Sequence, residues 1–259
     1  MRRFSEDGYA VFPGFKSRDE LAALRRRAEE IAASCSSGQV SIFSTRDQAE
    51  KSDEYFLTSG DKIRCFFEED GRTVNKIGHA MHDLDPVFDR FSHDARLTEI
   101  ASEAGLAEPV LYQSMYIFKQ PRVGGVVDWH QDAAFLRTDP TSVTAFWFAL
   151  DDADRSNGCL WVQPGGHRSP QRNQFVVRDG KAQLETLDDT PWPTTDDAVP
   201  VEVESGTLVV FNGLLPHYSA PNRSQKPRHA YTLHAVDARA TYAPDNWLQR
   251  QELPLRGFI

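Results

Sequence analysis

Apolar residues recur at helical spacing in the first hundred residues of the chain. The residues Ser17-Arg18-Asp19-Glu20 form a capping-box pattern, in which a serine and a glutamate satisfy the first free amides of a helix. Apolar positions follow at intervals of three or four: Leu21, Leu24, Ala28 and Ile31. This spacing predicts an amphipathic helix that ends near residues 34–38.

Two further helices are predicted before residue 105. Asp85-Pro86 suits a helix start, because proline is favoured in the first turn. Another helix is expected over about 96–104, where Gly105 would end it. Between the first and second helices, residues 39–75 are polar and irregular, and so long a segment predicts a lid over a functional site.

From residue 109 onward the pattern changes to short β-branched and aromatic runs. They span 110–119, 143–150, 158–163, 200–211 and 228–236. Such runs, bounded by Gly, Pro, Asn and Asp, are typical of an antiparallel sandwich or jelly roll. Residues 164–199 are expected to form a polar connection. We therefore predict a mainly β fold with flanking helices, as one domain over 1–259: a helical part over about 1–105 and a β-core over about 106–259.

Composition narrows the class of protein. The chain has 259 residues, a 40% hydrophobic and 26% charged composition, and a net charge of −9. The negative charge argues against nucleic acid as a partner, because phosphate binding needs clustered positive charge. The chain has no apolar run long enough for a membrane span or a signal peptide, so a cytoplasmic protein without a membrane partner is expected. Cys35, Cys65 and Cys159 are expected to be reduced thiols.

Three side chains have the chemistry of an iron site. His130-Gln131-Asp132 would place a histidine and an aspartate on the same side of a strand, so that both reach one metal ion. The motif is weak alone, since His-x-Asp also arises by chance. His217 follows an apolar strand and a turn, and is the preferred third ligand, although spacing alone does not exclude His234. Two histidines and one carboxylate are typical of non-haem Fe(II) oxygenases.

Arg228 opens the last predicted strand, on the same side as Ala230, Thr232 and His234. An arginine that faces inward is costly unless it pairs with an anion. An acidic ligand at Arg228 is therefore expected, and the alternative is a solvated arginine on an edge strand.

The chain resembles the phytanoyl-CoA dioxygenase family of Fe(II)/2-oxoglutarate oxygenases, and within it the phytanoyl-CoA dioxygenase domain-containing branch. The likeness runs from about residue 55 to the C-terminus, in the segments 75–88, 113–125, 129–136, 157–167, 229–236 and 243–249. It implies a double-stranded β-helix (jelly-roll, cupin-like) core with N-terminal helices.

Carried over to this sequence, the resemblance implies that His130, Asp132 and His217 bind iron. It implies that Arg228 and Ser219 bind the distal carboxylate of 2-oxoglutarate. The other implied co-substrate residues are Lys76, Met115, Gln131 and Trp147. No catalytic residue beyond the metal site is implied, and the presence of Asp132 disfavours halogenation.

The implied reaction uses Fe(II), 2-oxoglutarate and O₂ to hydroxylate a C–H bond of a small organic substrate, with succinate as co-product. Acyl-CoA thioesters and secondary metabolites are both compatible with the resemblance. Alternatives are desaturation or cyclisation by the same chemistry, and a non-catalytic metal-binding jelly-roll protein. The sequence specifies neither the substrate nor the oligomeric state.

Overall fold

The computed structural model describes residues 2–35, 40–44 and 47–259. Within these ranges the helices are α1 (Arg2–Asp7), α2 (Arg18–Ser34), α3 (Gln48–Lys51), α4 (Glu54–Leu57), α5 (Met81–Leu84), α6 (Pro86–Ser92) and α7 (Ala95–Glu103). The first strands are β1 (Tyr9–Phe12), β2 (Ile63–Phe67), β3 (Val74–His79), β4 (Pro109–Lys119), β5 (Val127–His130), β6 (Thr138–Asp139), β7 (Thr144–Ala149) and β8 (Leu160–Val162). The remaining strands are β9 (Asn173–Arg178), β10 (Lys181–Thr186), β11 (Val199–Val201), β12 (Leu208–Asn212), β13 (His217–Ser219), β14 (Arg228–Asp237) and β15 (Thr241–Tyr242).

Two antiparallel sheets form the β-core. The larger has seven strands in the order β1-β12-β7-β14-β4-β3-β2, and the smaller has four in the order β11-β8-β13-β5. The large sheet alternates its side chains between two faces, as strands require. On β7, Phe146 and Phe148 pack in one buried cluster while Ala145 and Trp147 pack in another.

The helices cover one face of the large sheet and the small sheet covers the other. Leu24, Phe88 and Leu97 share the first cluster with Phe148 of β7. Leu160 and Val162 of β8, in the small sheet, share the second cluster with Trp147. The predicted jelly-roll core with N-terminal helices is therefore confirmed.

The three predicted helices are present, and they begin and end close to the residues that the sequence predicts. Ser17 and Glu20 form the reciprocal capping box of α2, and the four predicted apolar positions of this helix are buried. Asp85 caps α6, which has proline in its first turn. Gly105 follows α7 with a φ of 101°, a left-handed conformation that glycine adopts without strain.

The segment 39–75 is more ordered than the pattern indicates. Residues 39, 45 and 46 lie outside the described ranges, but the rest contains α3, α4, β2 and the start of β3. β2 and β3 are the last two strands at one edge of the large sheet. The prediction of an irregular segment was wrong for this hairpin.

Three other expectations also need correction. Residues 164–199 contain the β9–β10 hairpin, and the predicted strand over 200–211 is divided into β11 and β12. The N-terminal part, predicted as helical, includes β1, which pairs with β12.

The helices in the described part of the chain are all too short or too polar to span a membrane.

The expectation of three reduced cysteines was wrong for two of them. Cys35, directly after α2, forms a disulfide with Cys65 of β2, and their Cα atoms are 6.3 Å apart. That separation is within the normal range for a disulfide. The partners are 30 residues apart in sequence, so only the packing of α2 against the sheet brings them together. Cys159 is free and buried.

Candidate active site

The two histidines of the predicted metal site are partners across two adjacent strands. His217 of β13 lies directly opposite His130 of β5, and their ring centroids are 4.0 Å apart. β5 ends at His130, and Asp132 begins the 3-10 turn Asp132–Ala134. The expectation that His130 and Asp132 share a strand is therefore corrected, although both side chains still reach the same point.

The three predicted ligands converge on one small volume. One ligand atom from each of His130, Asp132 and His217 lies within 4.8 Å of the other two. The Oδ1 atom of Asp132 is 3.6 Å from the Nε2 atom of His130 and 3.7 Å from the Nε2 atom of His217. Two imidazoles and one carboxylate on one face of an ion leave its other positions open. The donor set therefore fits Fe(II).

Backbone carbonyls orient both imidazoles toward that volume. The Nδ1 atom of His130 is 2.8 Å from the carbonyl oxygen of Asp128. The Nδ1 atom of His217 is 3.0 Å from the carbonyl oxygen of Leu215. A carbonyl can only accept, so each Nδ1 carries the hydrogen and each Nε2 keeps its lone pair for a metal.

The electrostatics of the site favour the forms that bind metal. Burial lowers the pKa of His130 to about 3, and the nearby His217 adds to this effect. Burial alone would raise the pKa of Asp132, but the imidazoles of His234 and His217 outweigh it, so the pKa is lowered. The site therefore offers a neutral imidazole and an ionised carboxylate at neutral pH, as metal binding requires.

Arg228 is a buried cation with free donors. Its side chain is 1% exposed, and its Nη2 atom donates to the Oγ atom of Ser219 at 2.9 Å. The Nε and Nη1 atoms are buried and have no hydrogen-bond partner in the part of the chain that the structure describes. Burial lowers the pKa of Arg228 to about 10, so the guanidinium stays charged at neutral pH. Among the described residues Arg228 forms no ion pair with a carboxylate. A buried cation without a counter-ion is costly, so the site suits an anionic ligand.

The structure brings three more of the predicted co-substrate residues to the same cavity. Lys76 of β3 is buried, and burial lowers its pKa well below the usual range. Its Nζ atom is 3.9 Å from the Sδ atom of Met115. Trp147 of β7 lies opposite Thr232 of β14, and the guanidinium of Arg228 is 5.6 Å from the Trp147 ring centroid.

Gln131 is the exception among the predicted residues. Its amide nitrogen donates to the carbonyl oxygens of Leu214 and Pro170, at 2.8 and 3.2 Å. Its side-chain oxygen accepts from the Arg172 amide at 2.9 Å. These hydrogen bonds hold the side chain against backbone atoms, and it does not line the cavity. The expected co-substrate contact is corrected: Gln131 ties the metal-binding turn to two neighbouring segments.

Thr232 and His234 also face the site, although the resemblance assigned them no role. Both line the cavity on the same strand as Arg228. The Oγ1 atom of Thr232 and the Nδ1 atom of His234 are buried, and no described residue forms a hydrogen bond with either atom. The alternation along β14 was the sequence signal that placed Arg228, Thr232 and His234 on one face.

A cavity of about 450 Å³ opens over these residues. Beyond the metal site its walls are largely apolar, and they include Phe56, Phe135, Leu136, Phe175 and Trp247. Part of the predicted lid segment lies against the cavity: Phe43, Gln48 and Ala49 line it, and Phe56 stacks on Trp247 with ring centroids 4.3 Å apart. Its volume is within the range of small-molecule binding sites.

The comparisons with known proteins agree with this geometry. The model of the phytanoyl-CoA dioxygenase (PhyH) family matches residues 4–230. The chain is 41% identical to a phytanoyl-CoA dioxygenase of Arabidopsis thaliana, over 97% of this chain and 93% of the relative. It is also 41% identical to phytanoyl-CoA dioxygenase domain-containing protein 1 of Bos taurus, over 98% and 95%.

A solved structure with a similar fold is the epimerase SnoN, determined in complex with Fe³⁺, alpha ketoglutarate and nogalamycin RO. It superposes with a TM-score of 0.67 at 18% identity, over 94% of this chain and 84% of SnoN. The length of the match, the sequence identity to these relatives and the His-Asp-His site all indicate the same family. The chain therefore belongs to the phytanoyl-CoA dioxygenase family, and it is a non-haem iron oxygenase that depends on 2-oxoglutarate.

Proposed function

We propose that this protein hydroxylates a C–H bond of a small organic molecule, with His130, Asp132 and His217 as its iron ligands. The observation that supports it most is the convergence of these three side chains beside a buried, incompletely paired arginine. When Fe(II), 2-oxoglutarate and O₂ are bound, they supply the oxidant, and 2-oxoglutarate leaves as succinate and CO₂. The protein contributes binding, orientation and the exclusion of water.

Arg228 and Ser219 hold the distal carboxylate of 2-oxoglutarate in this proposal. Nε and Nη1 of Arg228 are free, while Nη2 already donates to Ser219. The hydroxyl of Ser219 accepts from Arg228 and donates its one hydrogen to the Gly158 carbonyl oxygen at 2.8 Å, and this hydrogen would turn to the carboxylate when 2-oxoglutarate binds. A planar guanidinium suits a carboxylate, since Nη1 and the second hydrogen of Nη2 can donate two hydrogen bonds to it in one plane.

Lys76, Met115 and Trp147 complete the co-substrate pocket. The depressed pKa of Lys76 follows from its burial, and a carboxylate nearby would stabilise its charged form. Met115 and Trp147 provide apolar walls that exclude water from the charged groups. We take residues 1–259 as one catalytic domain, because the helices and the large sheet share one buried cluster.

The aromatic walls of the cavity constrain the substrate. Phe56, Phe135, Phe175 and Trp247 favour an apolar surface on the molecule that binds there. Desaturation or cyclisation would use the same residues, because the outcome depends on which substrate carbon lies nearest the iron. We propose hydroxylation as the reaction, and the product of the assay described next decides between these outcomes.

The test is production of succinate by the purified protein. Fe(II), 2-oxoglutarate and O₂ are supplied with a panel of small acids, thioesters and apolar metabolites. Succinate is quantified, and the oxidised product is identified by mass spectrometry. A mass gain of one oxygen atom supports hydroxylation, and the loss of two hydrogen atoms supports desaturation or cyclisation instead.

Two histidine variants provide matched controls. His217→Ala removes a proposed ligand, and we expect it to abolish both iron binding and succinate formation. His167 is partly buried and lies outside the cavity, so His167→Ala is expected to retain both. Parent protein that binds iron but gives no succinate above the His217→Ala background would favour a non-catalytic metal-binding protein.

A further inference from the structure

The two carboxylate oxygens of Asp132 face different groups. Oδ1 is 3.6 Å from Nε2 of His130 and 3.7 Å from Nε2 of His217. Oδ2 is 3.2 Å from Nε2 of His234. His234 comes from β14 in the large sheet, whereas His130 and His217 come from the small sheet. The pairing of β14 with β4 shifts register between His234 and Ala235, and such irregularities are common near active sites, where they change the direction of a side chain.

Asp132 differs from the two histidine ligands in its surroundings. Each histidine already has a backbone carbonyl that fixes its ring, namely that of Asp128 or Leu215. Oδ2 of Asp132 is buried and accepts no well-aligned hydrogen bond from the described residues. Ligating carboxylates normally have a hydrogen-bond partner outside the metal. His234 is the imidazole placed to provide one here.

The tautomer of His234 follows from its own surroundings. Nδ1 is buried and has no hydrogen-bond partner among the described residues, so a hydrogen at Nδ1 would be buried without an acceptor. The tautomer with its hydrogen at Nε2 avoids that cost and places a donor nitrogen 3.2 Å from Oδ2 of Asp132. Nε2 then has no lone pair for a metal, which separates His234 from the ligands His130 and His217.

We propose that His234 is a positioning residue that donates a hydrogen bond from Nε2 to Oδ2 of Asp132. The proposal rests on the proposed iron site. With Oδ2 held by His234, Asp132 would offer a metal ion Oδ1 alone. A carboxylate that was free to turn could bind through both oxygens and would leave less of the ion open to the 2-oxo acid and to O₂.

The test compares variants that keep or remove the donor. Glutamine can present an amide N–H near the position of Nε2, so we expect His234→Gln to bind Co(II) with an affinity within about threefold of the parent protein. Asparagine is too short to reach Oδ2, and leucine has no donor. We expect His234→Asn and His234→Leu to bind Co(II) about 10–100-fold more weakly, the usual effect of losing such a partner.

Affinity is measured by anaerobic titration, and the visible absorption of bound Co(II) reports the number and geometry of its ligands. The absorption of the glutamine variant should match the parent, and that of the other two variants should differ. The pair of amide variants keeps the test valid even if His234→Leu does not fold. Thermal unfolding of the metal-free proteins identifies variants that are folded.

Three results would overturn the inference. Equal affinity and absorption for the parent, His234→Asn and His234→Leu would show that the contact has no role. Equal weakening of the glutamine and asparagine variants would assign His234 to packing alone. A parent protein that bound no metal at all would overturn the iron site and this inference together, so that failure is distinguishable from the other two.

Discussion

Arg228 carries more information about the ligand than any other side chain of the cavity. It is almost fully buried, it donates once to Ser219, and two of its N–H-bearing atoms have no partner. The sequence placed it on the same strand face as Thr232 and His234 by alternation alone. The sequence could not show that, within the described part of the chain, no carboxylate forms an ion pair with it, because that depends on how distant strands pack.

Replacing Arg228 should separate co-substrate binding from metal binding. Removing charge-assisted hydrogen bonds costs about 1.5–3 kcal/mol, so Arg228→Ala should weaken 2-oxoglutarate binding by about 10–150-fold. Metal affinity should be unchanged, since Arg228 is not among the three ligands. Calorimetric titration of the Mn(II)-loaded protein with 2-oxoglutarate measures the effect.

Arg228→Lys is the matched control for this prediction. Lysine keeps the charge but loses the planar pair of donors, so its affinity for 2-oxoglutarate should lie between those of the parent and Arg228→Ala. Unchanged affinity in Arg228→Ala would remove the residue from the co-substrate pocket.

At the scale of elements, the hairpin β2–β3 and the short strands were the features hardest to predict. β10 is largely exposed along its length, so it has no apolar alternation to detect. β13 has three residues, fewer than a periodic pattern requires. Long or strongly patterned elements such as α2, β4 and β14 were predicted well, because their burial determines which residue types they contain.

The same limit applies to the metal site. His130 and His217 become neighbours through the pairing of β5 with β13, and local pattern does not determine which short strands pair. The family resemblance supplied that information. The resemblance did not show that the Gln131 side chain forms hydrogen bonds with three backbone groups. A motif gives a residue's position and not the direction of its side chain.

The disulfide between α2 and β2 predicts the thiol content of the protein. Purified without reductant and then denatured, the protein should have one reactive thiol, that of Cys159. Reduction before denaturation should raise the number to three, the cysteine count of the chain. Thiol titration with a chromogenic disulfide reagent measures both values, and Cys159→Ser should have no reactive thiol before reduction. Three thiols without reduction would contradict the Cys35–Cys65 bond.

At the scale of the whole molecule, buried neutral histidines should make stability depend on pH. Burial lowers the pKa of His82 to about 3 and, with the nearby Arg25, that of His229 to about 4. In the unfolded chain both return to about 6.5. Because the unfolded chain then binds more protons, the free energy of unfolding should fall as the pH drops below about 6.5, by up to about 1.4 kcal/mol per pH unit for each histidine.

Urea unfolding between about pH 6.5 and pH 5 tests this dependence, above the range where most carboxylates protonate. Outside the cavity, Nδ1 of His229 accepts a hydrogen bond from Nη1 of Arg25 at 3.2 Å and lies 3.0 Å from the Tyr116 hydroxyl. His229→Gln should therefore reduce the slope by about one proton. A free energy of unfolding that did not change over this range would mean that these histidines are protonated in the folded protein.

Co-substrate binding should also stabilise the whole fold. A ligand that binds only the folded state at about 100 times its Kd adds about 2.7 kcal/mol to the free energy of unfolding. For a chain of this size we expect the Tm to rise by about 5–10 °C with 2-oxoglutarate. Differential scanning fluorimetry measures the shift. Succinate, which lacks the 2-oxo group, serves as the weaker-binding comparison, and Arg228→Ala should lose most of the increase.

The two faces of the seven-stranded sheet divide the molecule into parts that can be engineered separately. On β7, Phe148 packs with the helices while Trp147 faces the cavity. Substitutions that improve packing around Phe88 and Leu97 therefore lie one sheet away from the metal ligands. The helix layer can accumulate thermostabilising changes, and the cavity side can be varied for new substrates, with little interference between the two sets of mutations.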